Sequence, residues 1–174
     1  MNQQEYVKKV YAEEYLIYRL AARRNIAPKI LNCGEPDENG TPSKGKFKLT
    51  TQKYPHTLRY YINNINRNLP DNVYSHIREL IRRLHDIGIL HGNINADNIV
   101  VNEHLTNIKI VGFSKSLYIP LQLSCEEDVK EVLSLHVQYL NINTLSNYSL
   151  DSKICTPQHF LDAEIRAVDN IRFL

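Results

Sequence analysis

Between residues 73 and 87 apolar side chains return every three or four positions, at Val73, Ile77, Leu80, Ile81, Leu84 and Ile87, while Arg78, Glu79, Arg82 and Arg83 take the other faces. That period predicts an amphipathic helix with Asp71 or Asn72 as N-cap and Gly88 as its stop. A second helix is predicted over 11–24, with Tyr11, Tyr15, Tyr18 and Ala22 on one stripe and Leu16 and Leu20 beside it. Pro28 ends it by holding Ala27 extended. Residues 29–33 then read as a strand, 34–46 as a loop of turn residues, and 47–51 as the returning strand of a hairpin. A short helix over 57–63, a polar linker, a second hairpin from 99–101 and 108–111, a helix over 126–140 and a last helix from Thr156-Pro157 to about residue 167 complete the chain.

The predicted elements alternate short antiparallel strands with helices, so the expected class is α+β. At 174 residues with 43% apolar content the chain suits one domain with a real core. Its 21 basic and 19 acidic residues leave a formal charge of +2 with no long run of one sign, which gives no electrostatic case for nucleic acid or a membrane surface. Tyr54, Tyr60 and Tyr61 beside Arg59 read as packing, since no basic groove accompanies them. No run has the roughly 18 apolar residues of a membrane span, and Met1-Asn2-Gln3-Gln4-Glu5 is unlike a secretory signal, so an intracellular, cytoplasmic protein is expected. Cys33, Cys125 and Cys155 are scattered, and no histidine pair has metal-ligand spacing; this predicts neither a disulfide framework nor a zinc site. Abundant Asn and Ile carry the signature of AT-rich codons, as in some viruses, for which the compartment is the host cytoplasm.

The candidate chemistry lies between the clearest helix and the second hairpin, in Leu90-His91-Gly92-Asn93-Ile94-Asn95-Ala96-Asp97-Asn98-Ile99. Histidine, asparagine and aspartate between a long amphipathic helix and an apolar strand either bind something or brace the loop. Helix, H-x-D-x-x-x-x-N loop, apolar strand, turn, and a strand ending in a D-F-G triplet form the catalytic-loop signature of kinases. In order and spacing this chain resembles the protein-kinase-like superfamily, closest in flavour to compact RIO-type and small-molecule kinases.

The resemblance implies a kinase-like fold across 1–174, with a truncated N-lobe and hinge in 1–54 (the αC helix and a short antiparallel sheet) and a mainly helical C-lobe in 55–174. It implies that Glu14 is the αC glutamate, that Lys9 in a remnant strand over 7–10 is the phosphate-pairing lysine, and that Gln52 and Tyr54 belong to the adenine-binding hinge. A solvated basic terminus is the other reading of Lys9. His91 then steadies the loop by packing, Asn98 stands at a Mg²⁺-ligand position, Phe113 at the aromatic of the triplet, and Asp128 at the aspartate that braces the loop through backbone N–H groups.

Two parts of the machinery are replaced. Asn93 occupies the position of the catalytic aspartate and Gly112 that of the metal-binding aspartate. An amide cannot accept the nucleophile's proton, and glycine offers no metal ligand. No glycine-rich phosphate loop precedes residue 7. These departures predict a pseudokinase that binds another protein, a kinase or a kinase substrate, or a second copy of itself. No cofactor is expected; ATP with Mg²⁺ is the ligand left open. The alternative is an atypical ATP-dependent phosphotransferase that uses Asp97, Asn98 and Asn93 in a rearranged site, with Asp97 as the substitute carboxylate.

Overall fold

The structure, a computed structural model, describes residues 5–34, 46–118 and 157–172. Its Cα atoms cluster into two compact units, Met1–Arg67 with Asp97–Ser114, and Asn68–Ala96 with Lys115–Leu174. Both are mixed helix and strand, and four helices and three small antiparallel sheets are present among the described residues.

The first unit opens with β1 (Glu5–Tyr11), followed directly by α1 (Ala12–Arg23). β2 (Ile30–Gly34) and β3 (Lys46–Gln52) complete an antiparallel sheet of order β1-β3-β2, one strand more than the predicted hairpin. Its register sets Lys8 opposite Leu49 and Val10 opposite Phe47. Alternation along β1 buries Val10 and half-buries Lys8, leaving Val7, Lys9 and Tyr11 exposed. α1 packs Ile17, Tyr18 and Ala21 inward, and it ends as Asn25 turns into the left-handed region at φ +60°, where Ile26 N–H donates to Ala21 O.

A second sheet in this unit has the order β4-β6-β7, from β4 (His56–Thr57), β6 (Ile99–Val101) and β7 (Ile108–Ile110). Thr57 closes β4 and caps α2 (Leu58–Asn64): its hydroxyl oxygen accepts from Tyr60 N–H at 3.1 Å. Two bonds tie this sheet to the end of α1. Ile110 N–H donates to Ile26 O at 2.9 Å, and the ammonium of the buried Lys109 donates to Asn25 O at 2.9 Å.

The second unit is organised by α3 (Asp71–Asp86) and α4 (Pro157–Arg172), with β5 (Ile89–Leu90) paired to β8 (Leu117–Tyr118). α3 buries the predicted face, Val73, Ile77, Leu80, Ile81 and Leu84, against α4. Its start differs from expectation. Asp71 is already helical, Pro70 is the N-cap, and the Asp71 carboxylate pairs with Arg172. α4 runs five residues beyond the predicted end because Val168 and Ile171 continue its buried stripe and Arg78 pairs with Asp169. Among the described residues no helix is long and apolar enough to cross a membrane. The predicted helix over 126–140, with Asp128, lies outside the described residues, as do Cys125 and Cys155.

Candidate functional site

In the first unit a cavity of about 360 Å³ opens between the two sheets, lined by Lys8, Leu49, the stretch from Thr51 to Thr57, Asp97, Asn98 and Gly112. Its volume is in the range of small-molecule sites. Lys8 reaches the wall because even-numbered residues of β1 face inward. Its ammonium lies 3.0 Å from the Glu14 carboxylate, on the first turn of α1, which is 8% exposed. The lysine paired with Glu14 is therefore Lys8 and not Lys9, whose side of the strand faces outward.

One turn beyond Glu14, Tyr18 meets Phe113 edge to face with ring centroids 5.3 Å apart, and Phe113 is buried. The Tyr18 hydroxyl is bonded to Thr51, and burial pushes its pKa well above that of an ordinary phenol. Burial also raises Tyr54, which is bonded to Asn107, and Tyr74 in the second unit. Each phenol is held neutral by folding, so its contribution to stability is complete below about pH 10 and is lost as the pH climbs above that value, where the unfolded chain ionises first. Urea unfolding is expected to show stability falling above about pH 10, with Tyr18→Phe flattening the fall. A stability that stays level into the alkaline range would refute this.

Of the two hinge candidates, Gln52 has its backbone N–H committed to Lys29 O at 2.9 Å, so that donor does not serve a ligand. Gln52 and Tyr54 both line the cavity, and His56 beyond them stacks on Tyr60 at 5.1 Å. Tyr61 is buried and its hydroxyl donates to Glu103 O, a packing role. Asp97 is the one carboxylate among the described lining residues, and it is bonded to Arg59 of α2 at 2.7 Å.

Asn98 and Gly112 face each other across the cavity floor. Val111 N–H donates to Asn98 O at 2.9 Å, and Gly112 takes φ +75°. A Cβ at residue 112 falls 2.2 Å from Asn98 Oδ1 and 2.6 Å from its Cγ. The Asn98 amide fills the space that an aspartate side chain would leave by. Mg²⁺ takes charged oxygens in octahedral array, and here the one carboxylate of the described lining is already paired with an arginine. The residues present do not fit a Mg²⁺-held triphosphate. Among the described residues no group of three or more His, Cys, Asp or Glu is gathered as a metal site.

His91 and Asn93 belong to the second unit. His91 is fully buried and its Nδ1 accepts Asn93 N–H at 3.1 Å. Asn95 Nδ2 donates to Asn93 Oδ1 at 3.0 Å, so the amide at 93 is held within the loop. The loop itself hangs from Glu164 of α4. This carboxylate, 0% exposed, accepts His91 N–H at 2.9 Å, Gly92 N–H at 2.7 Å and His85 Nε2 at 2.7 Å. The backbone-bracing acid among the described residues is thus Glu164, a role that the kinase-like resemblance implies for Asp128, which lies outside the described residues. One signal marks it: Glu164 is the only acid within the apolar stripe Phe160, Ala163, Ala167, Val168 and Ile171.

No protein-family model and no curated protein matches the chain.

Proposed function

We propose that the chain is a protein-kinase-like protein without phosphoryl-transfer activity, a pseudokinase that acts as a regulatory module by binding another protein, a kinase or a kinase substrate. The observation that carries the loss of activity is the floor of the cavity. Gly112 sits where the metal-binding aspartate is expected, and the Asn98 side chain occupies the room for any Cβ there. Phosphoryl transfer depends on positioned phosphates, metal-held charge and a carboxylate to orient the nucleophile. Asn93 supplies only an amide in place of that last group.

Four features support the kinase-like frame. The lysine strand lies beside β3, Lys8 pairs with the first turn of α1, Phe113 packs on Tyr18 one turn beyond Glu14, and the cavity is bordered by the segment that follows β3. A binding role is supported by β1, an edge strand among the described residues with Tyr6, Val7 and Tyr11 exposed. Asp97 and Asn98, adjacent in the cavity lining, favour the second reading, an atypical phosphotransferase.

Incubation with γ-labelled ATP and Mg²⁺ separates the two. No label is expected to reach the chain or a generic acceptor, and the Asn93→Asp, Gly112→Asp double variant restores none. Transfer that vanishes in Asn98→Ala would overturn the pseudokinase reading and establish the enzyme. A thermal shift is the companion measurement: native-state binding at a hundred times the dissociation constant adds about 2.7 kcal/mol, several degrees for a chain of this size. A shift that requires Mg²⁺ would contradict the cavity's chemistry. Cross-linking in cells is expected to join the chain to a kinase or a kinase substrate, and a chain that joins to no protein overturns the regulatory role.

A further inference from the structure

α1 buries Glu14, Ile17, Tyr18 and Ala21, and on another face it exposes a second stripe. Leu16 and Leu20 on this stripe are 47% and 37% exposed, and Glu13 and Arg23 at its two ends are exposed as well. Positions 13, 16, 20 and 23 follow steps of three, four and three. These are the a, d, a, d positions of a coiled-coil seam, within about 80° of arc on a helix of 3.6 residues per turn. A solvated helix face does not require two leucines one turn apart, and neither leucine contributes to the buried face of α1.

The order of the four residues specifies what covers them. When two copies of this helix run antiparallel, each a position layers against a d position of the other. Leu16 then meets Leu20 of the partner subunit, and Glu13 meets Arg23 of the partner subunit. The two-fold axis repeats both layers, giving two leucine pairs flanked at either end by opposite charges. A parallel arrangement sets Glu13 on Glu13 and Arg23 on Arg23 instead, so the charges also select the direction. The same surface on both copies is what a two-fold dimer uses.

We infer that the exposed Glu13-Leu16-Leu20-Arg23 stripe of α1 is a self-complementary docking surface for a second copy of this chain, joined in an antiparallel helix pair. The inference rests on the faces of α1 alone and does not depend on the kinase-like reading. A helix of 12 residues is about 18 Å long. The contact is therefore small, and the dimer is a reversible one seen at chain concentrations on the order of 100 μM.

Sedimentation equilibrium on the full chain tests it. The wild type is expected to associate to a dimer over that concentration range. Glu13→Arg and Arg23→Glu each bring like charges together twice and are expected to weaken the dimer by about tenfold or more. Mixed in equal amounts, these two variants face every arginine with a glutamate and are expected to regain association as a heterodimer. The double variant Glu13→Arg, Arg23→Glu is expected to dimerise with itself, which guards against a folding defect in either single change. A wild type that remains monomeric overturns the inference. So does a dimer indifferent to both reversals, or a mixture of the two variants that stays as weak as its components.

Discussion

Glu164→Ala is expected to cost about 4 kcal/mol of stability and to lower the melting temperature by roughly 10 °C. The size follows from what the carboxylate does. It is wholly buried and accepts from His91 N–H, Gly92 N–H and His85 Nε2 at 2.9, 2.7 and 2.7 Å. Since the backbone groups can only donate, the carboxylate is the acceptor throughout, and His85 presents its Nε2 proton to it. Alanine removes the acceptor but leaves the donors buried, and two of them are main-chain groups that cannot rotate away. Each orphaned donor carries a desolvation penalty of about 1–3 kcal/mol, and the vacated volume adds to it.

Glu164→Gln separates the hydrogen bonds from the packing. The amide keeps the shape and one acceptor oxygen. Set at the Oε1 position, that oxygen still receives His91 and His85, but the NH₂ then faces Gly92 N–H, donor against donor. About half of the alanine loss is expected. Urea unfolding and thermal melts of the two variants measure both values. A Glu164→Ala loss below about 1 kcal/mol would mean that the loop does not depend on this carboxylate.

The elements that were legible in the sequence have a period long enough to count. α3 repeats its apolar residues from Val73 to Leu84, so those five positions of its buried face could be named from the period, whereas the buried Tyr74 and His85 could not. The hairpin of β6 and β7 and the polar turn between them were legible for a related reason: β-branched runs flank a run of turn residues, and Asn102 closes that turn by accepting Asn107 N–H. β4, β5 and β8 have two residues each, too few for any alternation to be seen.

The site was legible where one residue type decides the chemistry and illegible where the fold decides the partner. On the kinase-like reading proposed above, Asn93 and Gly112 stand in place of carboxylates, and that is read from their identity alone. Lys8 and Lys9 do not distinguish themselves, because Tyr6-Val7-Lys8-Lys9-Val10-Tyr11 reads the same in both directions and suits either strand parity. Burial of Val10 and pairing to Glu14 settle the parity in favour of Lys8. Glu164 lies 73 residues from the His91 N–H that it holds. Nothing local to either residue links them, and only the packing of α4 against α3 and β5 brings the acid to the loop.

Gly92→Ala is expected to cost roughly 3–4 kcal/mol, clearly more than Gly112→Ala, although both glycines have positive φ, +89° and +75°. The left-handed backbone alone accounts for about 1–2 kcal/mol in either case. The difference lies in what each new Cβ would strike. At 112 it meets the end of the Asn98 side chain, which can turn aside at the expense of its own contacts. At 92 it falls 2.2 Å from Lys115 O and 2.9 Å from Lys115 C, both main chain, so a segment of backbone has to move. That segment is pinned. Ser116 Oγ donates to His91 O at 2.6 Å, Leu90 pairs with Leu117 across β5 and β8, and Gly92 N–H is held by Glu164 at 2.7 Å from the other side. Any displacement that relieves the Lys115 overlap stretches one of these bonds, so the steric penalty and the hydrogen-bond penalty rise together. Equal losses at the two glycines in urea unfolding would show that backbone conformation alone sets the cost, and that the Lys115 segment yields.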